Sequence, residues 1–134
     1  MVIEQTPRVQ ELRQKLLLFM EEHIYPAEKI YADQLDARGR WTVPPVMDVL
    51  KAKARAESLW NLFFPDAELA AGLTILEYAP LCEVMGRSSI GPEAFNCNAP
   101  DTGNMEVLWK YGDDAQKKAW LVPLLAGEIR SAFC

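Results

Sequence analysis

The chain has 134 residues, half of them hydrophobic, which is enough for one domain with a core of its own but not for two. Its 14 Lys and Arg stand against 19 Asp and Glu, giving a formal net charge of −5. This acidic balance argues against a protein that binds nucleic acid through a basic surface.

The N-terminal third predicts two helices. Thr6 followed by Pro7 is typical of an N-cap and a first helical position, and apolar residues recur at helical spacing up to Ile24. Pro26 is expected to end this helix and to begin a second one, because proline suits a first turn and not a helix interior. Gly39 is expected to end the second helix.

The middle of the chain predicts two further helices with a non-helical stretch between them. The first is expected over residues 45–58. The apolar run Leu59–Phe64 is too short for a helix with its own caps, so we interpret it as extended or turn-like. Thr74 and Glu77 match a capping box that opens the next helix, over residues 74–86. Pro80 lies inside that helix and is expected to kink it.

Two more helices are predicted toward the C-terminus. Asp101 is expected to cap one of them, and Asp113 with Gln116 repeats the capping-box pattern at the start of the other, which ends at Gly127. Residues 129–134 are interpreted as strand-like. Together the patterns predict an all-α fold, an orthogonal or up-down bundle of about six helices with at most one incipient strand.

Residue chemistry alone does not identify an activity. His23 is the sole histidine and has no Ser or Cys motif nearby to act as a nucleophile. The adjacent carboxylates Glu21–Glu22 and Asp113–Asp114 point in different directions on a helix, so they do not form an acid–base pair. The sequence has no glycine-rich phosphate loop.

The cysteines and the hydropathy pattern indicate the cellular compartment to expect. Cys82, Cys97 and Cys134 are odd in number and widely spaced, which favours free thiols in a reducing compartment, and a zinc site is not expected. No apolar run approaches ~18 residues, and no secretory signal is visible. We therefore expect a cytoplasmic domain with no membrane partner and no metal.

Several short stretches occur in an order that is typical of one enzyme family. Each is a weak match alone, but the series covers nearly the whole chain. The stretches are Ile24–Pro26, Trp41 with Pro44 and Pro45, Ala56–Pro65, Ala71–Thr74, Glu77–Pro80, Glu83–Arg87, Tyr111–Lys118 and Leu121–Glu128. Together they resemble the N-terminal helical domain of the acyl-CoA dehydrogenase family. The run Phe95–Leu108 is similar to the branch of that family formed by members ten and eleven.

This resemblance implies a domain organisation and a reaction. Residues 1–128 would form the N-terminal helical domain, and residues 129–134 would begin a middle β domain. Full-length members use FAD to remove hydrogens from the α and β carbons of an acyl-CoA thioester. The glutamate that abstracts the α proton belongs to a C-terminal domain in most members, so no catalytic residue is expected in this chain.

The resemblance also implies site residues. A wall of the acyl-chain pocket is expected at Asn96, Ala99, Thr102, Gly103 and Met105. An edge of the flavin site is expected at Phe133 and Cys134. Because two residues cannot hold FAD, we expect the 134-residue chain to retain no flavin and to be inactive alone. Acyl-CoA is the expected substrate of the full-length enzyme, and a homo-oligomer is the expected assembly.

One departure from the family pattern and two alternatives remain at this point. Many members carry a Gly pair where Ala70 and Ala71 stand, and alanine restricts the backbone more than glycine does. The chain could instead be a stand-alone helical interaction module without catalytic activity. It could also be a small acyl-binding protein that uses half of the pocket.

Overall fold

The structure is a computed structural model that describes residues 5–39 and 41–134. These residues form six continuous helices and no strand, so the all-α prediction is confirmed. Helix α1 consists of the α-helical segments Pro7–Phe19 and Tyr25–Arg38, joined by a π-helical turn at Met20–Ile24. The next four helices are α2 (Pro45–Ala56), α3 (Ile75–Met85), α4 (Gly91–Ala94) and α5 (Asp101–Tyr111). Helix α6 consists of Asp114–Gln116 and Val122–Ala126, joined by a π-helical turn at Lys117–Leu121.

Helix α1 does not end at Pro26, so the prediction of a break there is wrong. The π-helical turn Met20–Ile24 lies directly before this proline, and Tyr25 donates its backbone N–H to the carbonyl of Met20. A π turn shifts the backbone bonds from i→i+4 to i→i+5. The helix therefore passes the ring and the missing N–H of Pro26 without ending, and continues to the predicted stop at Gly39.

The predicted capping boxes are confirmed. Thr74 accepts a hydrogen bond from the backbone of Glu77, whose carboxylate accepts one from the Thr74 backbone. Asp113 and Gln116 make the same reciprocal pair at the start of α6. Pro80 lies inside α3, which is α-helical on both sides of it.

Two clusters of buried apolar residues form the core of the described chain. Helix α1 packs along α3 and against α2, α2 packs against α4, and α5 packs against α6. The larger cluster lies between α1, α2 and α3 and is built around Leu16, Phe19, Met20, Ile24, Met47, Leu50, Leu81 and Phe95. The smaller cluster joins the 63–64 segment to α5 and α6 through Phe63, Phe64, Met105, Leu121 and Leu124.

The segment between α2 and α3 has no helix and no strand, and its apolar part is turn-like, as the sequence indicates. Ser58 and Asn61 have positive φ, whereas Leu59 and Leu62 are buried in the larger cluster. The neighbouring loop takes its left-handed residue at Gly72, with φ of 60°. Ala70 and Ala71 are outside the left-handed region, so this loop forms without the glycine pair.

The C-terminal residues 129–134 have no regular secondary structure, so the strand-like interpretation is not met within this chain. A strand forms only when another strand satisfies its backbone groups, and none lies among residues 5–39 and 41–134. Their assignment to the start of a β domain stays a prediction.

Candidate functional site

An apolar cavity of about 560 Å³ lies between α3, the start of α5 and the loop that begins at Phe63. Ala99 and Thr102, two of the residues predicted for the acyl pocket, lie in its wall. The other lining residues come from the 63–65 and 73–75 segments, from α3 and from Cys97 and Glu106: Phe63, Pro65, Leu73, Thr74, Ile75, Tyr78 and Cys82.

Apart from the exposed Glu106, the polar side chains that line this cavity are hydroxyls and thiols. Burial raises the pKa of the Cys97 thiol to about 11, and the thiol donates a hydrogen bond to the carbonyl of Phe95 at 3.3 Å. Burial also raises the pKa of Tyr78, and the neighbouring Cys97 and Cys82 add to that rise. A lining of neutral hydroxyl, thiol and apolar groups suits an apolar ligand, because the ligand displaces no hydrated charge.

The structure does not bring all five predicted pocket residues to the cavity. Gly103 lies on the exposed side of α5, where a Cβ would meet no atom within 4 Å. Met105 points the other way and is fully buried in the smaller core cluster. Their contact with an acyl chain stays a prediction that this cavity does not support.

Asn96 is held in a different environment from Ala99 and Thr102. Its side chain is buried, its φ is 54°, and its Nδ2 donates to Oδ1 of Asn61 at 2.7 Å and to the carbonyl of Leu124 at 3.0 Å. Asn61 in turn donates to the carbonyl of Leu125 at 2.9 Å. Asn96 thus ties two loops to α6, and its placement in the acyl pocket stays a prediction.

Asp101 does not act as the N-cap that the sequence predicts. It is the first residue of α5, Pro100 occupies the cap position, and the Asp101 carboxylate is 1% exposed. The carboxylate accepts hydrogen bonds from Arg130 and Ser131 instead. The partners of a buried acid cannot be read from local spacing when they lie about 30 residues away, so sequence reasoning missed this role.

The two predicted flavin-edge residues lie at the end of the chain. Phe133 is 87% exposed, and Cys134 is exposed with a free thiol. Both are therefore available to a group outside this chain. Tyr78 and Cys82 were not predicted as site residues, although their spacing of four placed them on one face of α3.

Neither a candidate metal cluster nor a membrane-spanning helix occurs among the described residues. Residues 5–39 and 41–134 contain no group of three or more His, Cys, Asp and Glu that could hold a metal ion. No helix among those residues is long and apolar enough to cross a bilayer.

The chain is similar in sequence to proteins of one known family. Residues 6–128 match the model of the acyl-CoA dehydrogenase N-terminal domain. "Acyl-CoA dehydrogenase family member 10" of Mus musculus is 50% identical over 133 residues, which is 96% of this chain and 12% of the relative. "Acyl-CoA dehydrogenase family member 11" of Gallus gallus is 49% identical over 134 residues, which is 97% of this chain and 17% of the relative.

A solved structure shares the fold. The "Structure of a putative acyl-CoA dehydrogenase from Mycobacterium abscessus" superposes with a TM-score of 0.90 at 51% identity, over 98% of this chain and 35% of that one. The chain therefore spans about a third or less of the relatives it matches. The matched domain, the identities and the shared helical fold together show that this chain belongs to the acyl-CoA dehydrogenase family, as an N-terminal domain of that family.

Proposed function

We propose that this chain is the N-terminal part of an FAD-dependent acyl-CoA dehydrogenase and supplies one wall of its acyl-chain pocket. The observation that carries the proposal is the apolar cavity, with Ala99 and Thr102 in its wall, in a domain of this family. Phe133 and Cys134 would supply an edge of the flavin site. The reaction is α,β-dehydrogenation of an acyl-CoA thioester.

The cavity supports the binding of an acyl chain on energetic grounds. Each methylene buried from water contributes about 0.8 kcal/mol, so six methylenes would contribute about 5 kcal/mol. The neutral Tyr78 and Cys97 impose no charge on that chain. In this proposal the residues of the chain bind and orient the acyl group and exclude water from one side of it.

The C-terminal residues fit a contact with the flavin but not a complete site. The ring of Phe133 is exposed and can pack against a planar ring system. Two side chains give too few contacts for affinity, so most of the flavin site would come from residues outside this chain. When bound, FAD would supply the hydride acceptor for the acyl β carbon.

The wall assignment can be tested by acyl binding to the full chain. A fluorescent hexadecanoyl-CoA analogue should bind the wild-type chain weakly, because one wall is only part of a pocket. Ala99→Phe, which fills the cavity, should weaken binding at least tenfold. Ala52→Phe places the same ring at an exposed position of α2 and should leave binding unchanged. No wild-type binding, or equal effects of the two variants, would overturn the assignment.

One alternative is a stand-alone helical interaction module, which is favoured because this chain forms two buried apolar clusters from its own residues. A small acyl-binding protein is the other alternative, and binding of the acyl probe cannot separate it from the dehydrogenase. The flavin separates them: the longest natural protein that contains this domain should be yellow and reduce dye with acyl-CoA. A colourless long form would leave the interaction module or the acyl-binding protein.

A further inference from the structure

A buried carboxylate fixes the residues that leave the helical domain. Oδ2 of Asp101 accepts from Nε of Arg130 at 2.5 Å. Oδ1 accepts from the backbone N–H of Ser131 at 2.8 Å and from its hydroxyl at 2.6 Å. Both oxygens of a side chain that is 1% exposed are therefore used by two consecutive residues of the tail.

The Asp101 carboxylate serves the tail and not its own helix. As the first residue of α5 it could have been exposed, as Asp114 is at the start of α6. Burying a charge is costly unless it is paired and hydrogen-bonded. Burial opposes the charge of Arg130, but hydrogen bonds and the charges of Asp101 and Glu93 outweigh this and raise the pKa of Arg130. Arg130 therefore keeps its positive charge at any physiological pH.

A second helix and a second residue of α5 contact the same two tail residues. Glu93 of α4 accepts from Nη1 of Arg130 at 2.6 Å and from Nζ of Lys51, on α2, at 3.0 Å. Nδ2 of Asn104, one turn along α5, donates to the Ser131 hydroxyl at 2.9 Å. We call this set the tail network; its members are Lys51, Glu93, Asp101, Asn104, Arg130 and Ser131.

The tail network restricts the position of Phe133. This residue follows Ser131 by two positions, and a fully extended residue spans at most ~3.6 Å. Its Cα therefore lies within ~7 Å of a point that is fixed by backbone and side-chain hydrogen bonds. The phenyl ring itself is 87% exposed, so the network places an uncovered aromatic ring at a defined exit from the domain.

We propose that Asp101 is a positioning residue: it holds Arg130 and Ser131 so that Phe133 is presented in a fixed place to the flavin. The proposal rests on the proposed function, because it takes the flavin as the group that Phe133 meets. Asp101 touches neither substrate nor flavin in this scheme and acts only through the tail.

The first test measures the order of the tail in the full chain. Hydrogen exchange of the Ser131 amide should be at least tenfold faster in Asp101→Asn, because an Asn amide nitrogen faces Arg130 as a second donor. Asp114→Asn removes a first-turn carboxylate from α6 without touching the tail and should leave this exchange unchanged. Arg130→Gln changes a partly exposed side chain, so it decides the matter if Asp101→Asn fails to fold. Unchanged Ser131 exchange in Arg130→Gln and in a folded Asp101→Asn would overturn the proposal.

The second test measures the flavin in the longer dehydrogenase that contains this domain. Asp101→Asn should raise the dissociation constant of FAD at least fivefold or shift the visible flavin absorption, and Asp114→Asn should do neither. Faster Ser131 exchange with an unchanged flavin would show that the tail is held for another purpose and would overturn the proposal. If the wild-type long form holds no flavin, the proposed function fails, while the exchange test still shows whether Asp101 holds the tail.

Discussion

Replacing Asn96 with alanine should lower the free energy of unfolding by about 3 kcal/mol, because Asn96 is the central donor between two loops and α6. Its Nδ2 reaches Oδ1 of Asn61 and the carbonyl of Leu124. Its backbone N–H donates to the carbonyl of Glu93 and does not depend on the side chain. The substitution therefore removes a defined pair of hydrogen bonds and leaves the backbone bond in place.

The size of this loss in stability depends on which hydrogen bonds Asn61 and Leu124 retain in the variant. Oδ1 of Asn61 is left buried without this donor, which costs about 2 kcal/mol. The Leu124 carbonyl still accepts from the backbone N–H of Gly127 at 2.9 Å, so losing its hydrogen bond from Asn96 adds little to the cost. Asn96 has φ of 54°, and the left-handed region costs alanine about 1 kcal/mol more than asparagine. These contributions sum to about 3 kcal/mol.

Urea denaturation followed by far-UV dichroism measures this difference, provided that the m-value is unchanged. Asn98→Ala is the matched control, two residues away. Oδ1 of Asn98 is buried and has no hydrogen-bond partner among the described residues, so its removal breaks no hydrogen bond of that oxygen and relieves the cost of burying it unpaired. Asn98→Ala should therefore leave stability unchanged or raise it by up to about 2 kcal/mol. A loss below 1 kcal/mol for Asn96→Ala, or equal effects of the two variants, would refute the reasoning.

Three further outcomes are expected. Thr74→Ala should destabilise the chain by about 1 kcal/mol through the lost cap of α3, and an unchanged urea midpoint would contradict the capping box. Burial raises the pKa of the Cys97 thiol to about 11 from 9.0, so the folded state holds the thiol proton more tightly than the unfolded state does. The free energy of unfolding should therefore fall as pH rises from about 9 toward 11. Cys97→Ala should flatten that fall, and parallel plots of stability against pH for the two proteins would refute the burial of the thiol. The exposed Trp120 and Phe133 should drive self-association at micromolar concentration despite the net charge of −5. Light scattering from a clean monomer that binds no hydrophobic dye would contradict that expectation and favour the interaction module.

The sequence by itself determined the local features of this fold. The caps at Thr6, Thr74 and Asp113 are correct because each joins a side chain to a backbone group three residues away, within a single turn of helix. The stops at Gly39 and Gly127 are correct for the same reason, since a left-handed residue ends a helix locally. The resemblance added the family, and with it Ala99 and Thr102 in the wall of the cavity.

Tertiary structure alone decided the features whose partners are distant in sequence. Asp101 is of a residue type that often caps helices, but its carboxylate accepts hydrogen bonds from Arg130 and Ser131, 29 and 30 residues along the chain. The family resemblance implies a pocket role for Asn96, whereas no local pattern indicates that its side chain donates to Asn61, 35 residues back. Local periodicity carries no information on which helix faces which, because that choice depends on how the apolar faces pack together. The direction of a buried polar side chain is set only when that packing has placed its donors and acceptors.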